Sequence, residues 1–154
     1  MKLRNSVKAI IIDEGQMLFV KKQDPETGEE YYLLPGGGQS AGETFVQTVK
    51  RECREELGAD VDAGELVLVR EYISKNHEHA YKDSEAHQVE YMFRCKLKSP
   101  AMISEATELD PDQIGLEWIK LIELKSKNIF PKILRIVISC NGEINAPVYL
   151  GDVN

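Results

Sequence analysis

The chain has 154 residues, 42% of them hydrophobic and 29% charged, with a formal net charge of −7. That length suits one core of ordinary size and not two, so a single domain over residues 1–154 is expected. The acidic balance works against binding polymeric DNA or RNA, which depends on Lys and Arg displacing counterions, and admits a small phosphorylated ligand where a divalent cation supplies the positive charge.

No apolar run approaches the length of a membrane span, and the basic N-terminus lacks the apolar core and cleavage site of a secretory signal. A cytoplasmic protein with no membrane partner is expected, and assembly as a homodimer is compatible with the sequence. Cys53, Cys95 and Cys140 are odd in number and never in C-x-x-C spacing, which points to buried free thiols rather than disulfides or a zinc ribbon.

Taken in chain order, the apolar runs within residues 6–13 and 17–20 flank Glu14-Gly15 and predict a β-hairpin. Residues 23–30 are charged and punctuated by Pro and Gly, hence a loop, and residues 31–34 resume a strand that stops at Pro35. Three glycines follow. Over residues 44–57 the apolar Val46, Val49, Cys53 and Leu57 fall at helical intervals, with Gly58 where a C-cap belongs. Residues 66–73 and 89–97 are rich in β-formers and predict a strand pair across a polar loop holding His77, His79 and His87. Residues 100–113 read as an acidic loop, residues 116–121 as a strand, and residues 130–140 as a second helix begun near Pro131. This order of strands, helix, strands, helix predicts a mixed sheet between helices.

On the helix over residues 44–57, Glu52, Glu55 and Glu56 fall within one sector of roughly 100°. Glu52 and Glu56 are four apart and alike in charge, which costs a helix a few tenths of a kcal/mol, so this face is not optimised for its own stability. A divalent cation resolves the conflict, since Mg²⁺ takes one or two carboxylates together with phosphate and water. Gly36, Gly37 and Gly38 let backbone approach a ligand with no Cβ in the way, without forming a Walker A loop. Arg51, four before Glu55, is placed to orient that carboxylate.

A Glu-rich helix is ordinarily a solvated face. Here, however, Gly37, Glu43, Arg51-Glu52, Glu55-Glu56 and Gly58 stand in the spacing that resembles the signature of the Nudix hydrolase family, MutT-like proteins included. Cys53 and Ala59 stand where that family usually has bulkier aliphatics. A chance match is roughly a one-in-a-million event on ordinary residue frequencies.

The resemblance implies an α/β/α sandwich and hydrolysis of a nucleoside diphosphate linked to another moiety, by attack of a metal-activated water on phosphorus. It implies Mg²⁺, with Mn²⁺ as a substitute, held by Glu55, Glu56 and the Gly36 carbonyl. Glu52 is implied as a further ligand or as the base, Arg51 as an orienter and Glu43 as a support of the loop, with Gly37, Gly38 and Gly58 completing the motif. A further carboxylate is sought in Glu105, Glu108 or Asp112. Two other readings stay open: a nucleotide-binding regulator that does not cut, against which the retention of every motif glutamate argues, and a pyrophosphatase that sanitises nucleoside triphosphates. ADP-ribose-cleaving relatives often carry a proline shortly past the motif and diadenosine-polyphosphate relatives a tyrosine; residues 74–77 hold neither. The other rings and histidines are read as packing or loop residues.

Overall fold

The computed structural model describes residues 2–77, 85–99 and 113–154. Its first two strands, β1 (Lys2–Asp13) and β2 (Gln16–Gln23), form the expected hairpin, with positive φ at both Glu14 and Gly15 as a tight turn between twisted strands requires. The two strands pair only near the turn, at Ile12 with Met17 and Asp13 with Gln16. Residues 30–38 fill the resulting wedge. They run along β2 as β3 (Glu30–Leu33) and then cross to β1 as β4 (Gly36–Gly38). The glycine segment is thus stitched to the middle of a central strand, and the Ala9 N–H donates to the Pro35 carbonyl at 2.8 Å.

Beyond helix α1 (Phe45–Leu57), strands β5 (Val61–Ile73) and β6 (Ala86–Leu97) pair antiparallel as expected, and β6 runs parallel to β1. Strand β7 (Gln113–Lys120) pairs with β2, β8 (Ile129–Phe130) with β3, and β9 (Tyr149–Asp152) with β5. The sheet is mixed and the fold is α/β. Its two faces bury separate cores because side chains alternate along each strand. Val7, Ala9 and Ile11 of β1 pack with Val49, Cys53 and Leu57 of α1. Ile10, with Leu68 and Met92, packs beneath the C-terminal segment containing Leu121, Leu124, Leu134 and Val137.

Several expectations need correction. The second helix is four residues long, α2 (Leu134–Val137), because Ile129–Phe130 pairs with β3 and Ile138 bridges to Ile144, so pairing claims both ends of the segment. His87 lies on β6 rather than in a loop, and Gln113 begins β7. Val46 is 39% exposed; Thr48, which bonds back to the Thr44 carbonyl, takes its place on the buried face of α1. Cys53 and Cys95 are buried free thiols, but Cys140 is exposed. Glu105, Glu108 and Asp112 lie outside the described residues, as do Glu78 and His79. Among the described residues no helix is long and apolar enough to cross a membrane.

Candidate active site

Helix α1 begins and ends where its local chemistry dictates. Thr44 and Gln47 form a reciprocal capping box, with the Gln47 N–H donating to Thr44 Oγ1 at 3.1 Å and the Thr44 N–H to Gln47 Oε1 at 2.8 Å. Gly58, at φ 66°, closes the helix in the left-handed conformation that glycine adopts without strain. Between these caps the packed face holds Val49, Cys53 and Leu57, and the adjoining face carries the glutamates under the glycine segment.

Glu56 is buried, and its Oε1 accepts the Gly36 N–H at 2.8 Å. This bond offsets part of the cost of burying a carboxylate among apolar neighbours. Gly36 has φ 139°, and a Cβ there would meet the Val7 carbonyl oxygen at 2.1 Å. At Gly37 a Cβ would meet the Glu52 carboxylate at 2.6 Å. Both glycines are therefore demanded by close approach, one to a strand and one to the Glu52 side chain. Burial raises the Glu52 carboxyl above its ordinary value, against the pull of Arg51.

Arg51 is the clasp between helix and loop. Its Nε and Nη2 donate to Glu43 at 2.7 and 2.9 Å, and Nη2 also reaches the Gly38 carbonyl at 3.0 Å. Nη1 lies between two carboxylates, 3.0 Å from Glu52 and 3.4 Å from both oxygens of Glu55. The expected partner Glu55 is thus secondary to Glu43, because the two-point geometry with Glu43 satisfies the guanidinium fork. Glu43 also accepts from the Ser40 N–H and from Thr48, and the Arg51 bond first, then these, bring its carboxyl down to about 2.

Among the described residues no three His, Cys, Asp or Glu side chains form a closed metal cage. Glu56 is turned toward Gly36, Glu52 lies under Gly37 and Glu55 faces Arg51, so the three expected ligands share one region without converging. The donor set nevertheless fits a hard cation. It is all oxygen, and Mg²⁺ needs only one or two protein carboxylates, taking water and phosphate for the rest.

A groove meets the glycine segment at Lys8, whose Nζ donates to the Gly36 carbonyl at 3.5 Å. Its floor continues the sheet face that forms the second core. Two residues beyond Ile10, Leu68 and Met92 along their strands stand Lys8, Arg70 and Glu90. Arg70 and Glu90 form a buried ion pair at 2.8 Å, and Arg70 also donates to the Val153 carbonyl at 2.7 Å. Burial pushes the Glu90 carboxyl up, but the charges of Arg70 and Lys8 outweigh it and hold it below its ordinary value. The groove, about 310 Å³, shares Leu33, Arg70, Tyr72 and Phe130 with an adjacent hollow of about 460 Å³ that adds Tyr31. A larger hollow, about 850 Å³, opens beside the clasp between Arg4, Asn5 and residues 38–43, and among the described residues no aromatic ring lines it.

Lys8, Arg70, Glu90, Tyr31 and Phe130 are not among the residues that the sequence points to as a site. Three of them had a signal: charges set inside apolar strand runs, in VKAIII, LVLVREYI and VEYMF. His77 and His87 are engaged elsewhere, at 2.6 Å from Asp152 and 3.1 Å from Glu71, tying β9 and β6 to the edge of β5.

A model of the NUDIX domain matches residues 2–138. The chain belongs to that family. Nudix hydrolase 1 of Caenorhabditis elegans is 26% identical over 130 residues, covering 81% of this chain, which spans 31% of that protein's length. A NUDIX hydrolase from Nitrosomonas europaea has a similar structure, with TM-score 0.65, 20% identity and coverage of 82% of this chain and 78% of its own. A MutT NUDIX hydrolase from Burkholderia pseudomallei gives TM-score 0.61 at 25% identity, with 79% and 86% covered. These likenesses fit the NUDIX fold to the mixed sheet and to the helix that carries the glutamates.

Proposed function

We propose that this NUDIX domain is a Mg²⁺-dependent hydrolase that cuts a phosphoanhydride bond in a nucleoside diphosphate linked to another moiety. The observation that carries the reading is the gathering of Glu52, Glu55 and Glu56 beneath Gly36 and Gly37, with Arg51 and Glu43 fixing loop to helix. Glu55, Glu56 and the Gly36 carbonyl are the residues that would hold the ion, with Glu52 beside them. Bound Mg²⁺ or Mn²⁺ supplies a Lewis acid that lowers the pKa of water and offsets charge on phosphate oxygens.

In the reaction, water oxygen bonds to phosphorus, the anhydride P–O bond breaks, and the leaving phosphate departs with the bonding pair. In this reading Glu52 takes the proton of the attacking water, a role that its carboxyl, raised by burial, supports. Arg51 keeps Glu52 and Glu55 from swinging away as charge develops. The groove lined by Tyr31, Tyr72 and Phe130 suits the organic end of the substrate. The same reading takes residues 1–154 as one cytoplasmic domain acting on small nucleotide-type molecules.

Glu55→Gln and Glu56→Gln are each expected to lower Mg²⁺-dependent turnover at least a hundredfold, measured as released product on a panel of ADP-ribose, nucleotide sugars, dinucleoside polyphosphates and nucleoside triphosphates. Unchanged turnover in both variants defeats the ligand assignment. Preference for the triphosphates supports a sanitising pyrophosphatase, and no turnover on any member supports a binding regulator.

A further inference from the structure

We propose that Lys8 binds a phosphate oxygen of the substrate beside the metal site, leaving the Gly36 carbonyl to the metal ion when both are bound. The inference rests on the reading above that Gly36 helps to hold a divalent cation.

Lys8 is half-buried in the middle of a central strand, on the sheet face it shares with the fully buried Ile10. An ammonium in such a place needs a compensating partner. Among the described residues its recorded hydrogen bond is the one to the Gly36 carbonyl, and 3.5 Å is the outer limit for such a contact. Nζ carries three N–H donors, so this one long contact leaves bonding capacity over in a side chain that lines the groove. Its charge also acts on Glu52, against the stronger raising effect of burial, and on Glu90.

Two features make the contact with Gly36 exchangeable. An ammonium and a divalent ion at one carbonyl oxygen repel each other, so a cation arriving there displaces Nζ. The displaced side chain stays in the groove, because its Cα is fixed by pairing with Gly36 on one side and Met92 on the other. Among the described residues on this floor, Arg70 is held by Glu90 and the Val153 carbonyl. A phosphate lying between the glutamates and the aromatic end of the groove therefore meets in Lys8 a cation whose long contact can exchange. The charge count is favourable, since an ammonium offsets part of the negative charge that the ion leaves on a diphosphate.

The test compares wild type with Lys8→Met, which keeps the length of the stem, and Lys8→Arg, which keeps the charge. Mn²⁺ binding to the substrate-free protein is read by electron paramagnetic resonance. Binding of α,β-methylene ADP, a diphosphate that resists cleavage, is read by calorimetry in Mg²⁺. Lys8→Met is expected to bind Mn²⁺ at least threefold more tightly and the analogue at least tenfold more weakly, with Lys8→Arg restoring analogue binding to within threefold of wild type. If Lys8 only braces Gly36, Lys8→Met instead weakens Mn²⁺ binding and lowers the melting temperature while analogue affinity is unchanged, which overturns the proposal. Wild-type protein that binds no Mn²⁺ overturns the metal reading itself, whereas a wild type and Lys8→Met that bind both probes alike overturn the role of Lys8 alone.

Discussion

Gly36 and Gly37 are adjacent, yet a methyl group added to each meets a different obstacle. At Gly36 the obstacle is backbone, the Val7 oxygen at 2.1 Å and the Lys8 Cα at 2.7 Å, and the φ of 139° is itself unfavourable for an L side chain. Gly36→Ala is therefore expected to lose about 3 kcal/mol or more of stability, read by urea unfolding. At Gly37 the obstacle is the end of the Glu52 side chain, which can move. Gly37→Ala should keep a near-native unfolding midpoint while turnover falls at least tenfold; an unfolded variant or full activity contradicts this division. Glu43 makes a prediction about pH. Its folded carboxyl titrates near 2, below its ordinary 4.5, so the Arg51 clasp contributes stability that is present above pH 4.5 and lost as pH falls through about 2. The difference in melting temperature between wild type and Glu43→Gln should accordingly be open at pH 7 and close over that window. A difference independent of pH would mean that the clasp does not act through charge.

At the scale of elements, α1 is a helix whose own propensity is weakened by crowded carboxylates and restored at its ends. The capping box satisfies two N–H groups that the first turn leaves without partners. Thr44→Ala is expected to cost about 1 kcal/mol, a shift of roughly 2–4 °C in a chain of this size. Because the glutamates are fixed by loop contacts and by the packed Val49, Cys53 and Leu57, turnover per folded molecule should hardly change. A large loss of activity without loss of stability would show that the cap positions the site directly. The splayed hairpin is the other element with a functional consequence. Had β1 and β2 paired along their full length, the edge of β1 that receives Gly36–Gly38 would be closed.

Across the whole molecule, Arg70 and Glu90 link β5, β6 and the C-terminal residues through one buried ion pair and the Val153 carbonyl. Both side chains are under 10% exposed, at 8% and 6%, so removing one leaves the other charged in a desolvated site. Arg70→Met is expected to cost about 3–5 kcal/mol, whereas replacing both residues by apolar side chains should recover most of that loss. Denaturant unfolding of the two single variants and the double variant measures the coupling. An additive result would mean that the two charges act independently. The same pair shapes the groove floor, so the double variant tests whether the aromatic end of the groove survives without it.

Residues 37–59 announced their arrangement in the sequence because helical spacing alone puts Glu52, Glu55 and Glu56 on one face and glycine positions mark where backbone must pass close. The hairpin at Glu14-Gly15, the β5 and β6 pair and the cap at Gly58 were legible for the same reason: each depends on contacts within a few residues or on strict alternation. The second helix was misread because residues 130–140 satisfy a helical pattern while their ends are claimed by β3 and Ile144, partners far away in the chain. Lys8, Arg70 and Glu90 looked like interruptions of apolar strands, and their meaning arises only when three strands from separate parts of the chain lie side by side. The sequence by itself determined the family signature and the helix that carries it. Only the tertiary structure decided which carboxylate Arg51 grips most closely and what lines the groove, because those outcomes depend on distances between residues that the chain keeps far apart.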